Sequence, residues 1–94
     1  MVVGVLELAL AVPAFTLKEK RSVVKRVINR TRNKFQVAAA EVEEMDNPAY
    51  AVLGVVAVGN DRRHINSVLD HVANFVDQLG LAELLDQNIE LEIF

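Results

Sequence analysis

The stretch Tyr50-Ala51-Val52-Leu53-Gly54-Val55-Val56-Ala57-Val58, stopped by Gly59-Asn60, decides the fold. It reads as a strand, and its unbroken apolar character predicts a central position in a sheet, covered on both faces. Before it, the acidic segment Glu43–Asn47 with Pro48 reads as a turn, and Phe35–Val42 as the strand of a hairpin with 50–58. After it, Asn60 or Asp61 can cap a helix. The apolar stripe of that helix is Ile65, Val68, Leu69, Val72, Val76 and Leu79, and Gly80 is placed to end it.

Further out, Val2–Ala11 alternates. Gly4, Leu6, Leu8 and Leu10 share one face, Val3, Val5, Glu7 and Ala9 share the other, and Pro13 stops the strand. Thr16 and Glu19 stand at capping-box spacing. The helix they open, with Leu17, Val23, Val24, Val27, Ile28 and Thr31 on its buried stripe, runs to about Asn33. Leu84–Ile93 reads as the last strand, with Leu85, Ile89, Leu91 and Ile93 alternating against Asp86, Asn88, Glu90 and Glu92. The order is βαββαβ in one domain over residues 1–94. Right-handed crossovers and the hairpin predict an α+β sandwich: a four-stranded antiparallel sheet in the order 4-1-3-2, with both helices on one face.

Composition narrows the function. The chain of 94 residues is 52% hydrophobic and 5% aromatic, so its core is aliphatic. It contains no cysteine, which excludes disulfides and thiolate metal sites and fits a reducing compartment. The longest apolar run, Ala51–Gly59, falls well below the ~18 residues of a membrane span, so no membrane partner is expected. Met1–Val12 lacks a basic start and carries Glu7, and reads as a strand and not as a signal peptide.

The net charge of −3 hides an asymmetry: residues 1–34 carry eight Lys/Arg against two Glu, residues 35–94 two Arg against eleven Asp/Glu. At 100° per residue, Lys18, Arg21, Lys25 and Arg32 line one flank of the first helix and Arg26 and Arg30 the other. Lys34 closes the run, and Lys20 falls in the apolar stripe, from which it is expected to snorkel. Arg62 and Arg63 extend this surface if the helix ends converge. Such a surface suits phosphate backbones through counterion release, which predicts RNA or ribosomal particles as partners. The competing readings are a solvated helix face and a dock for an acidic protein. Base stacking on the sheet is not expected, because the first strand has no aromatic residue and the third only Tyr50. The face opposite the helices, with Val3, Val5 and Ala9 among Glu7, Glu90 and Glu92, suggests a homodimer.

Enzyme chemistry finds no purchase. His64 and His71, seven apart, sit about 10 Å from each other on a helix, too far to share an ion easily, so neither metal nor cofactor is expected. Ser22 and Ser67 lack a base motif, helix capping accounts for Asp61 beside His64, and no glycine-rich loop is present. No acid, base and oxyanion donor come together.

The chain resembles the YlxP-like family of small bacterial proteins. The resemblance rests on Met1-Val2-Val3-Gly4-Val5-Leu6, Leu17-Lys18-Glu19-Lys20-Arg21, Arg32-Asn33-Lys34-Phe35, Ala40-Glu41-Val42, Ala51-Val52-Leu53-Gly54-Val55 and Asn60-Asp61-Arg62-Arg63-His64. It implies a ferredoxin-like fold, a cytoplasmic location and, from genes that often neighbour those of relatives, a place near RNA or ribosomes. It brings no catalytic residue. Where relatives carry a Trp-Gln-Arg-like stretch in the second hairpin, this chain has Pro48-Ala49-Tyr50.

Overall fold

The computed structural model describes residues 1–94. Its elements are β1 (Val2–Ala11), α1 (Leu17–Lys34), β2 (Ala38–Glu43), β3 (Tyr50–Gly59), α2 (Arg62–Gln78) and β4 (Glu83–Ile93). The strands form one antiparallel sheet in the order β2-β3-β1-β4, the ferredoxin-like arrangement expected. The apolar stretch that decided the architecture is a central strand, in register with β1 from Val2↔Gly59 to Ala11↔Tyr50. The chain ends meet: the Met1 amine donates to the Phe94 carbonyl and the Phe94 N–H to the Met1 carbonyl, each at 2.8 Å.

The core lies between sheet and helices. Val2, Leu6, Leu8 and Leu10 of β1 and Ala51, Leu53, Val55 and Ala57 of β3 meet Val24 and Val27 of α1 and Ile65, Leu69, Val72, Ala73 and Val76 of α2. α2 packs over β1, β3 and β4, while α1 lies along β2 and α2. Gly4 makes this approach possible: a Cβ there would sit 2.5 Å from Ile65 Cγ2 and 2.7 Å from Leu69 Cδ1. Asp61 caps α2 by accepting from the N–H groups of Arg63 and His64. Gly80, at φ +69°, takes the left-handed position after the helix.

Five local expectations are corrected. β2 starts at Ala38 and not at Phe35, because Phe35 is the C-cap of α1 and packs edge-on against Phe75 at 5.6 Å. In β4 the register shifts by one between Ala9 and Leu10 of its partner, so Leu84 turns inward and Leu85 is left half exposed. The Glu19 carboxylate accepts the Thr16 hydroxyl at 3.1 Å, not a backbone N–H. Lys20 does not snorkel but is fully buried. Finally, β3 is covered on one face only: Val56 and Val58 on the other are exposed.

Candidate nucleic-acid interface

α1 is amphipathic in a particular way. Its buried residues are Lys20, Val24, Val27 and Thr31. Thr31 satisfies its hydroxyl by donating to the Val27 carbonyl at 2.8 Å. Rotation at 3.6 residues per turn then sends Lys18, Arg21, Lys25, Arg26, Arg30, Arg32 and Lys34 outward, and all seven are exposed. None of them is ion-paired, since the molecule's single salt bridge joins Lys20 to Glu41. Glu19, the sole acid in α1, is engaged in the cap.

Lys20 lies with its Nζ 2.8 Å from Oε2 of Glu41 on β2, and it also donates to the Glu44 carbonyl. That Glu41 oxygen is buried and accepts no other hydrogen bond. Glu44 holds a left-handed backbone, φ 62°, in a turn where its carbonyl also accepts the Asn47 N–H. The eighth cation of α1 is thus structural: it locks the helix to β2 and to the hairpin turn.

The two ends of the predicted basic surface are distinct. Lys34 places its ammonium 5.5 Å from the centre of the Phe75 ring. Arg62 and Arg63 stand at the other end of α2, about 20 Å from Phe75 along the helix axis. They line a shallow groove of about 550 Å³ with Asn66, Asp70, His71 and Leu91. The seven α1 cations are thus all exposed along one helix, and Arg62 and Arg63 lie at the end of α2 away from Lys34. No group of three or more His, Asp or Glu side chains is placed to hold a metal ion, and His64 and His71 are exposed.

Phe15 escaped the sequence reading. It precedes the N-cap of α1 and is 93% exposed, against nothing in the core. The signal was available: a bulky apolar residue directly before the helix cap, with Lys20 and no apolar residue at the position where a hydrophobic staple would receive it.

All ten Lys and Arg lie in the two helices, and no strand carries one. The strands carry seven carboxylates: Glu7, Glu41, Glu43, Glu83, Asp86, Glu90 and Glu92. The fold separates charge into a cationic helical layer and an anionic sheet.

Residues 3–89 match the family model described as "Protein of unknown function (DUF503)". The chain belongs to the DUF503 family. It is 38% identical over 64 residues to the "Uncharacterized protein YlxP" of Bacillus subtilis (strain 168), covering 68% of this chain and 70% of the relative. The DUF503 match and this likeness bear out the YlxP-like resemblance. Among solved structures, a de novo designed protein with ferredoxin fold superposes with a TM-score of 0.63 at 14% identity, over all of this chain and 88% of the other. The designed protein Foldit4 gives 0.53 at 9% identity, over 99% of this chain and 97% of the other. Both likenesses concern the fold alone.

Proposed function

We propose that the protein is a non-enzymatic binding module that holds RNA, free or within a ribosomal particle, on the outer surface of α1. The observation that carries this reading is seven exposed cations on one 18-residue helix, none of them paired to a carboxylate. Surface charges act over about 8 Å in physiological salt, so a polyanion along α1 feels this cluster and not the net charge of the chain. Lys18, Arg21, Lys25 and Arg32 hold phosphates, Arg26, Arg30 and Lys34 flank them, and Arg62 and Arg63 offer a separate contact. The strands, with carboxylates and no cation, repel RNA, so the nucleic acid lies on the helical side. This differs from domains of the same layout that stack bases on their sheet. Phe15, 93% exposed directly before the N-cap of α1, offers a ring on which an unpaired base can stack.

The test is RNA affinity across a salt series, for the wild type and for a Lys18/Arg21/Lys25/Arg32 to Glu variant. Tight binding with a steep salt slope in the wild type, lost in the variant, is the expected result. Equal affinity and slope in both remove the reading.

A second reading is a homo-oligomeric interaction module with no nucleic-acid role, in which α1 is a solvated face. The exposed side chains Val5, Val42, Val56 and Val58 favour it. Sedimentation at micromolar concentration decides, and a clean monomer dismisses it.

A further inference from the structure

We infer that the open face of the sheet docks an amphipathic, cationic helix of another protein. β3 is apolar on both of its faces, yet the fold covers only one. The register shows what the other face presents. Val58 pairs with Val3, Val56 with Val5, Gly54 with Glu7 and Val52 with Ala9. On the far side of β1, those same residues face Glu92, Glu90, Asn88 and Asp86 of β4. An aliphatic band therefore runs along β3 and β1, bounded by a row of three acids on β4, with Glu7 inside it. Gly54 leaves the band hollow. Its missing side chain opens a depression of about 380 Å³, walled by Val5, Ala40, Val42 and Val56.

This pattern selects its occupant by charge. The face carries Glu7, Asp86, Glu90 and Glu92 and no cation, so it repels nucleic acid and attracts a basic partner. A second copy packed face to face would bring further carboxylates and no cation to balance them. A second copy offering its α1 would bring cations, but the apolar stripe of α1 is spent on its own core, and nothing would cover the valines. That contact would also be heterologous, giving rings or filaments and not a two-fold dimer. What fits is a helix with an apolar stripe for the Val5–Val56 band and Lys or Arg along one flank for β4. About 18 helical residues span roughly 27 Å, within the length of a ten-residue strand. The docking asks nothing of α1, so the protein has two faces for partners of opposite charge.

The test uses the full chain and a synthetic 18-residue Leu/Lys amphipathic helix, with a Leu/Glu helix of the same pattern as control, followed by amide chemical shifts. The expected result is saturable binding of the Leu/Lys helix, with shifts centred on Val5, Glu7, Val56 and Glu90. Affinity falls at least tenfold in a Glu7→Lys/Glu90→Lys variant, and also in Val56→Ser, which keeps the charges and removes apolar contact. No binding, shifts centred elsewhere, or unchanged affinity in either variant overturns the inference. So does a concentration-dependent shift of the same amides without peptide, which would assign the face to a second copy.

Discussion

Nζ of Lys20 and Oε2 of Glu41 lie 2.8 Å apart, with the lysine side chain wholly out of solvent and the glutamate nearly so. The pair joins a helix to an edge strand in a core that is otherwise aliphatic except for Thr31. Leaving one buried charge unpartnered costs more than losing the attraction. Lys20→Ala is therefore expected to lower unfolding free energy by about 3 kcal/mol, measured by urea denaturation. Replacing both partners, as Lys20→Met with Glu41→Leu, should recover most of the loss, because no orphan charge remains.

The fit of α2 over Gly4 predicts a second effect. A methyl group on Gly4 would collide with Ile65 and Leu69, both fully enclosed. Gly4→Ala should cost about 1–3 kcal/mol by overpacking, seen as a lower thermal midpoint. Gly80→Ala meets no neighbour, but it forces a side chain into φ +69° and should cost about 1 kcal/mol through the backbone alone.

Neutralising the α1 cations one at a time separates charge from shape. For single-stranded RNA, each of Lys18→Gln, Arg21→Gln, Lys25→Gln and Arg32→Gln should reduce the log–log salt slope by roughly 0.7 if its group meets a phosphate. Circular dichroism should show the fold unchanged, since all four side chains are exposed and unpaired.

Phe15→Ala makes a different prediction. Loss of one stacked base should weaken single-stranded RNA binding by about 1–3 kcal/mol with no change in salt slope. Thermal stability should stay the same, because the ring packs against nothing. Unchanged affinity in this variant, with binding by the wild type intact, would leave the α1 phosphate contacts and remove the stacking.

Most of the fold was legible because its signals are local. Capping at Thr16 and Asp61, the left-handed position at Gly80 and the 3.6-residue stripes of both helices depend on neighbours a few residues away. The bulge that turns Leu85 out and Leu84 in was not legible, because period-2 alternation reads the same whether or not a partner strand slips by one. The start of β2 was misplaced because Phe35 has strand propensity but is claimed by Phe75, a contact across forty residues of chain.

The candidate site divides in the same way. That seven cations leave α1 on its outer side follows from helical geometry and sequence order, and the sequence alone determined it. Lys20 stood in the apolar stripe for the same reason, but whether it would reach water or a carboxylate depended on which strand lay beneath it. Topology brought Glu41 there. Topology also turned a chain of mixed charge into a cationic layer over an anionic sheet with an uncovered aliphatic band. Sequence order places residues along elements, and only the packing of those elements decides which surfaces meet each other and which are left for a partner.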